Sequence, residues 1–157
     1  WPQKQRWQES YHQRTKPFMS APKTIFVDTS AFKALVDPRD EFHARAVKTW
    51  EMMAKAGVKL ISTNYILDES YTLIRIRCGI KVAKEFRDLI SASGEDIKIM
   101  RSTLSDEFDA WTWFEKDWSK LSFTDCVSFA QMKRLNLSVF FGFDEQFVKA
   151  GFHTIGI

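Results

Sequence analysis

The sequence predicts an α/β fold: a three-layer sandwich with a central, mostly parallel five-stranded sheet flanked by helices. Three observations carry this. Five short stretches with the β-branched and aromatic bias of strands recur along the chain, at 24–27 (TIFV), 58–62 (VKLIS), 97–100 (IKIM), 138–143 (SVFFGF) and 153–157 (HTIGI). The segments between them repeat apolar residues at helical spacing, and strands that alternate with helices call for a parallel sheet covered on both faces. The length of 157 residues, 45% of them hydrophobic, is enough for one core, and no Pro/Gly-rich linker or internal repeat divides residues 24–157.

Taken in order, residues 1–23 stand apart from the rest. They hold Lys4, Arg6, Arg14, Lys16 and Lys23 against Glu9, a charge of +4, so a whole-chain charge of +3 leaves the remainder at −1. The basic balance belongs to this segment and says little about the ligand of the body. We expect 1–23 to be a flexible or non-native basic leader and 24–157 to be the folded domain. The first strand ends on Asp28, placed to cap a short helix, SAFKAL. Residues 40–56 place Phe42, Ala46, Val47, Trp50 and Met53 on one helical face before Gly57. Residues 64–77 and 81–92 read as a helix pair divided by CGI, and 104–117 and 123–135 as two more helices. In the first of these, FDAWTWFEKDW, the spacing assigns Phe108, Trp111 and Phe114 to the core face and leaves Trp113 and Trp118 outside, at a dimer interface.

Several classes are set aside by composition. No run approaches the roughly 18 uncharged apolar residues of a membrane span, and the N-terminus lacks a signal-peptide core. The expectation is a cytoplasmic protein. Cys78 and Cys126 have no Cys-x-x-Cys spacing and read as small hydrophobes. The three histidines, His12, His43 and His153, are isolated.

The carboxylates are more informative. In an open parallel sheet, ligands bind beyond the carboxyl ends of the strands, near the point where strand order reverses. Asp28 follows strand one and Asp144 follows strand four. Asp125 opens the helix that feeds strand four, and Glu69 lies one to two turns into the helix after strand two, with Asp68 beside it on the solvent side. Singly, each aspartate has a structural explanation, since Asp28 and Asp144 suit helix N-caps and Ser122 with Asp125 spells a capping box. Together they form a cluster, and two carboxylates about 5 Å apart at an effective dielectric near 20 repel by roughly 3 kcal/mol. A hard divalent cation, Mg²⁺ or Mn²⁺, relieves that repulsion and suits all-oxygen ligands. Such a centre supports hydrolysis of a phosphodiester. Thr29, Ser30 and Thr124 flank the acids as hydroxyls able to orient a carboxylate, with capping an equal reading for Ser30.

At the level of motifs, FVDTSAF, TNYILDESYTLIR, LSFTDCVSFAQMKR and FFGFDEQFVKAGF, in this order, resemble the four acidic motifs of PIN-domain ribonucleases, most closely those of VapC-like toxins of toxin–antitoxin modules. The resemblance spans residues 24–157. It implies that Asp28, Glu69, Asp125 and Asp144 are metal-binding catalytic acids, with Thr29 and Thr124 at the family's hydroxyl positions. It further implies Mg²⁺- or Mn²⁺-dependent endonucleolytic cleavage of RNA, a homodimer, and an antitoxin whose C-terminal segment covers the active site.

Two rivals remain. A haloacid-dehalogenase-like phosphatase needs a second aspartate two residues after the first, where this chain has Ser30. A non-catalytic PIN-like scaffold that binds RNA or protein would not need the complete acid set. Around an acidic groove, phosphates need cations on the rim. Lys33, Arg75, Arg77, Lys133 and Arg134 follow the acidic motifs and are candidates, although a solvated face explains most of them as well.

Overall fold

The computed structural model describes residues 22–155. The leader expected at 1–23 therefore lies almost wholly outside the described residues. Five strands, β1 (Thr24–Val27), β2 (Lys59–Thr63), β3 (Ile97–Met100), β4 (Val139–Phe141) and β5 (His153–Thr154), form one sheet in the order β3-β2-β1-β4-β5. Every pairing is parallel, with Ile25 opposite Leu60, Val27 opposite Phe141 and Leu60 opposite Ile97. The expected "mostly parallel" sheet is thus parallel throughout.

Seven helices cover it among the described residues: α1 (Thr29–Val36), α2 (His43–Lys55), α3 (Asn64–Cys78), α4 (Ile80–Ala92), α5 (Leu104–Phe114), α6 (Phe123–Arg134) and α7 (Glu145–Lys149). The core is rich in phenylalanine, and β4 shows why both faces of the sheet are apolar. Phe140 stacks on Phe147 of α7 at 4.7 Å, while its neighbour Phe141 meets Phe143, which stacks on Phe42 before α2. Alternate side chains therefore serve opposite layers, which is what a doubly covered parallel strand requires. On the α1 side, Phe32 packs against Phe86 of α4 at 5.2 Å.

Two local differences from the sequence reading have physical causes. The helix expected from residue 40 begins at His43, because the preceding loop is tied down by its acids: Asp40 accepts from the Phe42 amide at 2.8 Å and from Lys33 Nζ at 2.5 Å. Asp37 sits in the same knot, and although burial alone would raise its pKa, hydrogen bonds from Arg39 hold it down at about 2. Helix α5 is rotated from the expected orientation. Its buried side is Asp106 and Ala110 with half-buried Trp113, whereas Leu104, Phe108, Trp111 and Phe114 are exposed. Burial of Asp106 explains the rotation, since it receives two hydrogen bonds from Arg134 of α6, at 2.6 and 2.9 Å, and completes a capping box with Thr103. Gly79, at φ +90°, separates α3 from α4 as the CGI reading required.

Candidate active site

Strands β1, β2 and β3 extend to one side of the sheet, and β4 and β5 to the other side of β1. Strand order reverses between β1 and β4, and the crevice at such a switch point is where open α/β sheets bind ligands. Asp28 leaves the end of β1 and Asp144 the loop after β4, so both flank that crevice.

Asp28 is the N-cap of α1. Its Oδ2 accepts from the Ser30 amide at 3.0 Å and from Ser30 Oγ at 2.5 Å. The Ser30 hydroxyl in turn accepts from the Phe143 amide at 2.8 Å, and the Asp28 amide donates to the Phe141 carbonyl at 3.0 Å. Ser30 thus ties the first acid to the backbone that carries Asp144. The approach is close at Gly142, where a Cβ would lie 3.0 Å from both the Asp28 Cβ and the Phe140 ring.

Asp125 is the third residue of α6. Its carboxylate accepts from the Ser122 amide at 2.9 Å, and Ser122 Oγ accepts from the Asp125 amide at 3.1 Å, a complete capping box. Asp144 caps α7 through the Gln146 amide at 2.8 Å. Glu69, on α3, accepts from Thr29 Oγ1 at 2.5 Å, and Asp68 beside it is exposed. Thr124, by contrast, makes no side-chain hydrogen bond among the described residues; its carbonyl accepts from Ser128.

The acids sense one another. Asp28 is 2% exposed, and burial, offset in part by the Ser30 hydrogen bonds, raises its pKa to about 6, with Asp144 and Glu69 adding repulsion. Asp125, 5% exposed, is pushed up to about 7 by burial first and by the charges of Asp28 and Asp144. The topology therefore brings all four sequence-predicted acids into one electrostatic neighbourhood. The buried acids elsewhere behave in the opposite way: Asp106 stays near 2 because hydrogen bonds from Arg134 and Thr103 overcome its burial.

The arrangement has two buried carboxylates without a cationic partner among the described residues, and two half-buried ones beside them. Among the described residues, no three acidic, histidine or cysteine side chains are close enough to grip one ion as a cage. That donor set fits a hard cation that keeps several waters and takes only one or two carboxylates directly, which is the habit of Mg²⁺. Of the rim cations expected from the sequence, Lys33 is spent on Asp40 and Asp37, and Arg134 on Asp106. Arg75, Arg77 and Lys133 are exposed and form no ion pair with a described carboxylate. Sequence reasoning left Ser30 undecided and gave no role to Gly142, the residues that join β1 to β4 beneath the acids.

A fold of this topology with acids at the switch point defines a class, and comparison with known proteins names it. The chain belongs to the PIN domain family, which matches residues 25–153. Within that family it is VapC-like. Two curated relatives from Mycobacterium tuberculosis, strains CDC 1551 / Oshkosh and ATCC 25618 / H37Rv, each named 23S rRNA-specific endonuclease VapC20, are 32% identical to it over 129 residues, 82% of this chain and 95% of theirs. The crystal structure of M. tuberculosis VapC20, titled a Sarcin-Ricin loop cleaving toxin, matches with a TM-score of 0.73 at 32% identity over the same shares. No helix among the described residues is long and apolar enough to cross a membrane.

Proposed function

We propose that the protein is a metal-dependent endoribonuclease, the toxin of a toxin–antitoxin pair, and that Asp28, Glu69, Asp125 and Asp144 are its catalytic, metal-holding acids. The observation that carries this reading is the pair Asp28 and Asp125, both buried, mutually repelling and without a cationic side chain among the described residues, each with a raised proton affinity. A fold keeps two such groups at a ligand crevice when something positive completes them.

In this reading Asp28 and Asp125 are the primary ligands, because each has one carboxylate oxygen fixed by a cap and the other without a hydrogen bond among the described residues. Glu69 is aimed by Thr29, and Asp144 closes the opposite side of the crevice. When bound, Mg²⁺ or Mn²⁺ lowers the proton affinity of water and neutralises charge on a phosphodiester. The protein's share is position: Ser30 and Gly142 set the spacing between the ends of β1 and β4, and the capping boxes and N-caps hold the carboxylates while the strand of RNA is placed over them.

The relatives' named target makes 23S rRNA the first substrate to test. A homodimer and an antitoxin complete the proposal. Two exposed apolar groups on the described surface support association with protein, Ile76 and Ile80 at the α3–α4 junction and Leu104, Phe108, Trp111 and Phe114 on α5. The deciding experiment incubates the protein with 23S rRNA and with single-stranded RNA, with Mn²⁺ and with chelator, beside Asp28→Asn. Cleavage that requires both the metal and Asp28 is expected. Metal-bound protein that cleaves neither RNA would leave the binding scaffold as the reading.

A further inference from the structure

We propose that Lys116, Lys133 and Lys149, held against Trp113 and Trp118, form a phosphate-binding exosite for the substrate RNA on the flank of the domain, away from the acids. The inference rests on the ribonuclease reading and adds to it where the rest of the polyanion is held.

Trp113 and Trp118 were expected to be outside, and they are instead half-buried, with their rings edge to face at 6.0 Å and Trp113 packed on core Phe129 at 5.3 Å. Three lysines converge on them. Lys133 Nζ lies 4.7 Å from the Trp113 ring centre, Lys149 Nζ 4.5 Å from that of Trp118, and Lys116 Nζ 5.7 and 6.0 Å from the two. All three lysines are exposed, and none is ion-paired to a described carboxylate. They line an open pocket of about 860 Å³ together with Asp109, which pairs with none of them.

A plain structural role covers part of this. Lys133 and Lys149 stand in the last turns of α6 and α7, where a cation complements the helix dipole. Lys116, the residue after the C-cap of α5, gains from the dipole of that helix in the same way, but the dipoles do not account for three lysines of three elements meeting over two indole rings. Three like charges beside rigid ring faces hold their heads in place in a way that free surface lysines do not. Lysine heads of this kind bind phosphate as point charges.

Position selects RNA as the occupant. α6 and α7 begin at the acid edge with Asp125 and Asp144, and end with Lys133 and Lys149. At 1.5 Å per residue the lysines lie about 12 and 7 Å along those helices from the acids. A strand with one phosphate over Asp125 therefore has the exosite within reach of its next few phosphates. The acid groove itself repels RNA, and with Lys33 and Arg134 engaged internally, the energy that retains a polyanion comes from unpaired cations, of which these three gather in one pocket while Arg75 and Arg77 stand on α3.

The test measures binding of a short labelled single-stranded RNA in EDTA, and cleavage separately in Mn²⁺, for the full chain, for the triple variant K116Q/K133Q/K149Q and for K116R/K133R/K149R. The glutamine triple is expected to bind about tenfold more weakly at low salt and to lower the slope of log affinity against log salt by about 2, since each phosphate contact on a single strand contributes about 0.7. Its loss in cleavage falls on KM, and the arginine triple keeps the native slope. Lysine-dependent binding without cleavage by any form would uphold the exosite and sink the ribonuclease reading. Equal affinity and slope in native and glutamine triple, with cleavage intact, would overturn the exosite alone. It is also overturned if native protein binds no RNA, or if the lysines prove necessary only for an oligoglutamate probe, which would assign the pocket to an acidic protein segment. Circular dichroism melts of each variant exclude misfolding.

Discussion

Replacing Asp125 by asparagine should stabilise the metal-free protein at neutral pH while ending its proposed activity. In the fold the Asp125 pKa stands at about 7 against an ordinary value of 3.8, driven first by burial and then by Asp28 and Asp144. The native state therefore binds a proton that the unfolded state releases near pH 4, and stability falls as pH rises from about 4 to 7, then levels. At 1.36 kcal/mol per pH unit, the cost of ionising Asp125 in place approaches about 4 kcal/mol. Asp28, raised to about 6 by the same burial, titrates with it, so the two costs belong to the pair. Asparagine keeps an acceptor for the Ser122 amide and gives up a favourable charge at the N-terminus of α6, about 0.3–1 kcal/mol. With the ionisation cost shared across the pair and this loss subtracted, a net gain of about 2 kcal/mol is expected at pH 7.5 in EDTA, read as a rise in Tm of roughly 4–8 °C.

The assay is thermal unfolding of native and Asp125→Asn protein between pH 4 and 8, in EDTA and in Mn²⁺. The gap should widen from pH 4 to pH 7. Added Mn²⁺ should then reverse the order by stabilising native protein, by about 2.7 kcal/mol at a hundredfold excess over Kd, and the variant far less. A variant less stable than native at pH 7.5 in EDTA, or a gap that does not change with pH, would refute the strained-pair argument.

Three other outcomes follow from the geometry. Ser30→Ala removes the donor to Asp28 and the acceptor of the Phe143 amide; it should cost about 1–3 kcal/mol in denaturant unfolding, raise the Asp28 pKa further and reduce metal affinity by about 10–100-fold in titration calorimetry. Gly142→Ala forces its neighbours apart beneath the acids, and should lower stability by about 1–3 kcal/mol with a parallel loss of cleavage. Arg134→Ala strands the buried Asp106 carboxylate, which should cost about 3 kcal/mol at pH 7. Because the Asp106 pKa is depressed, to about 2, its contribution is present above pH 4 and is lost as pH falls toward 2, so acid unfolding of native and variant should converge there.

Much of the fold was legible because its signals are local. Four of the five strands lie within a residue or two of their expected positions, and Asp28, Ser122 with Asp125, and Asp144 cap the helices the sequence assigned to them. What was not legible depends on pairs distant in the chain. FDAWTWF carries an aromatic or alanine at nearly every position, so its period admits two faces; the choice is made by Asp106 and Arg134, 28 residues apart. The same is true of Ser30, whose second partner is Phe143, 113 residues on, and of Gly142, whose need to be small is set by the Cβ of Asp28. A lysine's destination is equally invisible: Lys33 and Lys133 look alike in sequence, yet one is bound to Asp40 and the other lies over a tryptophan.

The capping of the acids, which the structure shows, and the catalytic role proposed for them are compatible in one arrangement. Asp28, Asp125 and Asp144 stand at the N-termini of α1, α6 and α7, where backbone N–H groups and the positive ends of three helices favour negative charge. Those dipoles are what allow carboxylates to gather at the switch point before any cation arrives. They are insufficient to offset burial, the larger cause, and the repulsion added to it, since Asp28 and Asp125 still hold their protons too tightly, and a divalent ion would compensate both. Removing a hydrogen-bond donor to Asp28 should therefore weaken the proposed metal site as well as the fold, and Ser30→Ala, which keeps the amide that caps α1 but loses the hydroxyl, is expected to show both losses at once.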